Sequence, residues 1–372
     1  MKKKVGILTI TDYGNYGNRL QNYATQEILK GKGFEVTTVK SRVGNQIEKS
    51  FKEKLKEFRP NDISRIIKNR MNNKKHAEVK SERYSKFVKF SKDNIKETPY
   101  TVTEEAIPSD IDQQFDYFVT GSDQVWNPNY RKGSGIDFLT FASKEKRIAL
   151  SPSFGISTIP SEYRNKYSKM IEEMAHLSVR EEAGAKIIKE LTNREAEVLV
   201  DPTLVLEEVE WKKLSKKPNI ISDKKYLLTY FLGPIAEKTQ AFLDKVSSEK
   251  NLEIIYLHDL KRSPSYYSVD PSEFLYLIDH AELFCTDSFH GSIFSIVFKT
   301  PFVVCDRIEN SELKMSSRID TLLKKFSLSE RHESQSLGLS VEEVLELNTS
   351  HIEDVLIKER EQYINYIDKA LV

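Results

Sequence analysis

The residues best suited to chemistry lie in short polar strings directly after apolar, strand-like runs. They are Asp12-Tyr13-Gly14-Asn15-Tyr16-Gly17-Asn18, Gly121-Ser122-Asp123-Gln124, Ser151-Pro152-Ser153, Arg180-Glu181-Glu182 and Asp287-Ser288-Phe289-His290-Gly291. His290 is the sharpest case. An imidazole serves as general acid or base near neutral pH, and a glycine beside it permits close backbone approach. A lone histidine is more often a structural hydrogen-bonder. Its place after a strand, beside Asp287 and Ser288, favours chemistry. Arg180 offers a fork to a carboxylate or phosphate, or a partner to Glu181 or Glu182. Arg318, in Ser316-Ser317-Arg318-Ile319, has the same two readings, with the serines suited to cap a helix.

Gly14 and Gly17 let the first loop turn tightly, and the helix start behind it offers free N–H groups to an anion. The competing reading is a plain strand–helix turn capped by Asn18. The loop is neither G-x-G-x-x-G nor G-x-x-x-x-G-K-[ST], so ordinary dinucleotide or ATP binding is not supported. Without an H-E-x-x-H, a paired C-x-x-C or a dense acidic triad, no metal site is expected.

Such residues are positioned by strands alternating with helices. Val5 to Thr9, a helix bearing Leu20, Ala24 and Ile28, and Glu35 to Val39 read as one βαβ unit. Further β runs follow at 116–120, 147–151, 177–179 and 197–200, with a helix over about 181–191. A second set comprises 226–231, 252–257, 283–286 and 302–306, with helices from about 236 and near His290. The alternation predicts an α/β fold of two Rossmann-like domains whose parallel sheets face across a cleft, with ligands at the strands' carboxyl ends. The boundaries expected are 1–200 with a basic helical insertion at about 45–110, then 201–340, then a helical segment over 341–372.

Composition narrows the class. In 372 residues, 39% are apolar and 30% charged, and the net charge is +1, which suits a globular protein without a nucleic-acid partner. Lys49 to Lys96 departs from this balance, with 16 Lys/Arg against 6 Asp/Glu. It reads as a solvated helical surface. The minor alternative is peripheral contact with the anionic inner face of a membrane, or with a lipid-linked acceptor. Cys285 and Cys305 sit in apolar runs and are expected as reduced, buried thiols on neighbouring strands. The apolar run after the opening lysines ends at Ile10, short of a secretory signal, and no run approaches the ~20 apolar residues of a membrane span. A cytoplasmic location is expected.

Several strings together resemble the polysaccharide pyruvyl transferase family. They are Y-G-N-Y-G-N-R-L-Q-N-Y-A (13–24), V-T-G-S-D-Q-V-W-N-P (119–128), S-V-R-E-E (178–182), V-D-P-T-L (200–204), T-D-S-F-H-G-S-I-F-S (286–295) and S-S-R-I-D (316–320). The resemblance implies a GT-B-like fold, phosphoenolpyruvate as donor substrate without a further cofactor, and a saccharide acceptor, free or lipid-linked. In that family pyruvate becomes a ketal across two sugar hydroxyls and phosphate is released. His290 matches the family's essential histidine, Arg180 an arginine expected to meet donor anions, and Asp123 the acid of G-S-D.

The chemistry so implied asks for an imidazole to move protons and a carboxylate, Asp123 or Asp287, near the cation developing at C2. Donor anions call for Arg180, Arg318 and the loop of Asn15, Gly17, Asn18 and Arg19. Ser122, Ser288 and Gly291 complete the candidate binding set. Many members carry an arginine two residues before the histidine, where this chain has Ser288. Arg318, Lys299 or Arg19 then supplies the charge, or the donor differs. Two other readings share the architecture: a glycosyltransferase using a nucleotide-sugar, and a non-catalytic saccharide-binding relative.

Overall fold

The computed structural model of the protein describes residues 2–43, 63–308 and 317–371. Its first sheet holds β1 (Lys4–Leu8), β2 (Glu35–Ser41), β3 (Glu97–Val102), β4 (Tyr117–Thr120) and β5 (Arg147–Ala149). Their order is β3-β2-β1-β4-β5, and every pairing is parallel. Two short strands, β6 (Ser178–Val179) and β7 (Glu197–Val198), pair in parallel and join this sheet through a bridge between Ile148 and His176. The second sheet holds β8 (Tyr226–Tyr230), β9 (Glu253–Leu257), β10 (Leu283–Thr286) and β11 (Phe302–Val304), in the parallel order β11-β10-β8-β9. β8 and β10 are buried along their whole length, as their unbroken apolar runs require of strands covered on both faces.

The expected α/β architecture of two parallel, Rossmann-like sheets is therefore present, and every strand anticipated from the sequence forms. The basic insertion differs. Its described part is a helix, Ile63–Asn94, that runs into β3, an edge strand of the first sheet. Pro99 obscured that strand in the sequence, yet an edge position tolerates a proline. Residues 44–62, the start of the expected insertion, lie outside the described residues. The stretch 341–371 is divided into the helices Val341–Leu345 and Ile352–Ala370. The second returns to the first sheet, where the Tyr366 hydroxyl donates to the Ala149 carbonyl at 2.7 Å.

One apolar core reaches across both sheets, taking Val5, Ile7 and Leu20 from the first and Leu228, Ile255 and Phe284 from the second. Tyr16 is its junction. The ring stacks on Phe274 with centroids 4.2 Å apart, and its hydroxyl donates to the Val269 carbonyl at 2.9 Å. Burying each such aromatic stabilises the contact by about 1.5–3 kcal/mol, so the two sets of strand ends are held in a fixed relation. Cys285 and Cys305 are free, buried, and have their sulfurs 3.8 Å apart.

Candidate active site

The helix Tyr16–Gly31 starts at Asn15, whose side chain accepts from the Asn18 N–H at 3.2 Å. Asn15, not Asn18, is thus the cap. Asn18 is freed to face inward, where its Nδ2 donates to Asp123 Oδ2 at 2.6 Å and its Oδ1 accepts from the Asp12 N–H at 2.9 Å. Gly17 has a different reason to lack a side chain. A Cβ there would stand 2.1 Å from His290 Nδ1, so the first sheet's leading helix and the second sheet's histidine meet at a point only glycine allows.

His290 is placed by the helix Phe289–Phe298, which follows β10 and is capped by Ser288, whose hydroxyl accepts from the Gly291 N–H at 3.2 Å. Its ring is nearly buried, with 10% of the side chain exposed, and its Nε2 lies 3.5 Å from Asp201 Oδ2. That same oxygen accepts from Arg180 at 2.6 Å and from the Ser122 hydroxyl at 3.1 Å. The other oxygen of Asp201 accepts from the Thr203 N–H and hydroxyl at 3.1 and 2.7 Å. Burial alone would push the Asp201 carboxyl up. His290, Arg180 and Thr203 outweigh it and hold the group well below the usual carboxylate range.

Arg180 reaches Asp201 and Asp123 rather than Glu181 or Glu182, with its second nitrogen 3.6 Å from Asp123 Oδ1. Glu181 instead accepts from the Ser153 hydroxyl and the Phe154 N–H. Burial opposes the Arg180 charge, but Asp201, Asp123 and Glu181 together raise its pKa above the ordinary guanidinium value. Arg180 lies over the ring of Phe289 at 4.4 Å, and Arg318 lies over the same ring at 5.5 Å. Burial and the like charge of Arg180 lower the Arg318 pKa to about 10. The Nε of both arginines and one terminal nitrogen of Arg180 are buried without a hydrogen-bond partner among the described residues. The two guanidinium groups thus share the Phe289 ring, with Asp201 and Asp123 beside Arg180.

Other expected residues are placed elsewhere. Arg19 donates to Glu97 at 3.0 Å and to the Ile10 carbonyl at 3.1 Å, at the edge strand β3. Lys299 follows the far end of the His290 helix and pairs with Glu208 at 3.4 Å. Of the three cations considered in place of an arginine at position 288, Arg318 is the one beside Arg180. Asp287 accepts from the Leu232 and Gly233 N–H groups, each at 2.8 Å, and pairs with Arg307 at 3.3 Å, so its carboxylate anchors a loop. Gly291 packs against its own strand, where a Cβ would meet Thr286 Oγ1 at 2.9 Å. Of the serine pair expected to cap the Arg318 helix, Ser317 is the first residue of that helix, Ser317–Lys325, and Ser316 lies outside the described residues.

Asp201 was not singled out from the sequence. Its signal was the Asp-Pro-Thr order, which reads as an ordinary helix cap with proline at the first position, and it is that as well. Among the described residues, no group of three or more His, Cys, Asp or Glu could hold a metal ion, and no helix is long and apolar enough to cross a membrane.

Two parallel Rossmann-like sheets whose strand ends converge on a histidine, two carboxylates and two arginines make a GT-B-like architecture. The model of the family described as polysaccharide pyruvyl transferase matches residues 15–309, and the chain belongs to that family. No curated protein matches by sequence. Among solved structures, the chain is similar to a UDP-GlcNAc 2-epimerase of Methanocaldococcus jannaschii in complex with UDP-GlcNAc and UDP, at 14% identity and a TM-score of 0.48, covering 95% of this chain and 99% of that one. It is also similar to HepE of Anabaena in complex with UDP and glucose, at 8% identity and a TM-score of 0.46, covering 99% and 100%.

Proposed function

We propose that the protein transfers the enolpyruvyl group of phosphoenolpyruvate to two hydroxyls of a saccharide, forming a pyruvate ketal. The observation that carries this reading is the pair Arg180 and Arg318 on one face of the site, both buried and both with unused donors. Phosphoenolpyruvate brings a phosphate and a carboxylate, and planar guanidinium forks suit both. Arg318 provides the charge that Ser288 does not.

In the reaction, C3 of the donor gains a proton while one acceptor hydroxyl adds to C2. The second hydroxyl then replaces the phosphate at C2, and its proton leaves with the departing phosphate or a base. His290 is the group that moves protons. Asp201, 3.5 Å from Nε2, positions the ring. Asp123, held by Asn18, is the carboxylate set to face positive charge developing at C2. The site is cytoplasmic on this reading, and its product enters surface polysaccharide.

The test is phosphate release from phosphoenolpyruvate with a panel of saccharide acceptors. Release is expected to depend on acceptor and to fall by roughly 10²-fold or more in His290→Ala, with folding unchanged. Absence of release, with a nucleotide-sugar consumed instead, would reassign the site to glycosyl transfer.

A further inference from the structure

One cation of the lysine-rich helix Ile63–Asn94 is turned inward. Arg83 is 5% exposed and lies over the rings of Tyr16, Phe87 and Tyr267, at 4.5, 4.6 and 5.5 Å from their centroids. Its Nη1 donates to the Tyr16 hydroxyl at 2.7 Å and to the Tyr267 carbonyl at 2.9 Å. Its Nη2 donates to the Gly14 carbonyl at 2.9 Å. We propose that Arg83 positions Asp123 for the reaction by holding the loop 12–18. The role rests on Asp123 being the carboxylate that faces the reacting carbon, as proposed above.

A continuous run of hydrogen bonds connects the two residues. Arg83 fixes the Gly14 carbonyl, and the Gly14 N–H donates to Asp12 Oδ1 at 2.8 Å. The Asp12 N–H donates to Asn18 Oδ1 at 2.9 Å, and Asn18 Nδ2 donates to Asp123 Oδ2 at 2.6 Å. The bond from Asp12 decides which end of the Asn18 amide meets Asp123, because it occupies the amide oxygen. Turned round, the amide would set that oxygen against the carboxylate. Asp123 also needs holding. Its φ is 63°, a left-handed conformation that a residue with a Cβ keeps where its surroundings impose it.

The other end of the fork is anchored in the second half of the chain. Tyr267 precedes the helix Pro271–Asp279, and the Tyr16 hydroxyl passes its own proton to the Val269 carbonyl at 2.9 Å. The guanidinium thus clamps the loop 12–18 against the segment 267–269. A planar fork can reach two carbonyls in different directions, whereas an ammonium group on a flexible stem does not hold both in a fixed geometry. Burying this cation costs desolvation that a solvated lysine surface never meets, and its three acceptors and three rings offset that cost.

Steady-state kinetics and hydrogen exchange on the full chain test the role, using Arg83→Met, Arg83→Lys and Asn18→Ala. Arg83→Met keeps an apolar stem among the rings and loses the fork. Its kcat should fall about tenfold or more with the donor KM within about threefold, because Asp123 acts on charge that develops after binding. Arg83→Lys should recover only part of that rate, and it carries the same comparison if the methionine variant does not fold. Added to Asn18→Ala, which cuts the same run of bonds, Arg83→Met should cost little further rate. Exchange of the amides in 12–18 should rise in Arg83→Met while β1 stays protected, a readout that needs no substrate. A full rate in Arg83→Met, or losses that multiply independently in the double variant, overturns the proposal and leaves Arg83 a strut between the two halves. If the wild type releases no phosphate from phosphoenolpyruvate, the donor reading falls by itself. Exchange then decides the role of Arg83: a rise confined to 12–18 keeps it, and no rise removes it.

Discussion

Asp201 and Asp287 each stand just beyond a parallel strand, each is buried, and each accepts from backbone N–H groups. Their remaining partners differ. Asp287 meets two loop N–H groups and Arg307, all of them groups that fasten one segment of chain to another. Asp201 spends one oxygen on its own helix start and presents the other to Ser122, Arg180 and His290, which come from three separate strand ends. A carboxylate that ties down backbone is part of the scaffold. A carboxylate that gathers side chains from distant strands is part of a site.

The largest effect should separate the two directly. Asp201→Asn removes the charge facing His290 and Arg180, and turnover should fall by about 10²–10⁴-fold, by analogy with other histidine–carboxylate pairs. Asp287→Asn should leave turnover within a few-fold but cost about 1–3 kcal/mol in urea unfolding, because an amide N–H₂ would oppose a loop N–H. Equal kinetic losses in the two variants would erase the distinction.

Next in size is Arg318→Ala, which sharpens the anion site on the Asp201 side. The donor KM should rise by roughly 10–100-fold, while stability falls little, since a charge that burial disfavours is removed. An unchanged KM would place Arg318 outside the site.

Gly17→Ala tests the contact between the sheets. Its Cβ would fall 2.1 Å from His290 Nδ1, so the ring or the helix must shift. Turnover should fall about tenfold or more, with a smaller change in melting temperature. An unperturbed rate would mean that the histidine tolerates displacement.

The smallest effect belongs to the loop that Asp287 anchors. His258 makes a hydrogen bond with the Phe231 backbone, and its pKa is lowered to about 4 in the folded chain. The unfolded chain therefore binds more protons between about pH 6.5 and 4, and stability is lost as pH falls through that window. The loss should reach about 2 kcal/mol by pH 5 and shrink in His258→Gln, read from urea unfolding at several pH values.

Much of this was legible in the sequence because parallel strands announce themselves as apolar runs and place polar residues at their ends. The strings holding His290, Arg180, Ser122 and Asp123 were collected by that rule, and the family resemblance gave Asp123 its expected role. Asp201 was not, because its local partners make a complete helix cap, and what distinguishes it comes from residues 21 and 89 positions away. Arg19 misled for the converse reason. It lies in a loop-to-helix segment suited to anions, yet Glu97, on a strand disguised by Pro99, claims its charge. Asp287, next to the histidine string, points back to the β8 loop, a direction that spacing cannot convey.

The central claim is that Arg180 and Arg318 form the anion site of a phosphoenolpyruvate donor beside His290. Titration calorimetry of phosphoenolpyruvate against the wild-type chain and Arg318→Ala tests it most directly. Saturable binding by the wild type, weakened roughly tenfold or more in the variant, is the predicted result. No binding to the wild type, or equal binding to both, would contradict the account.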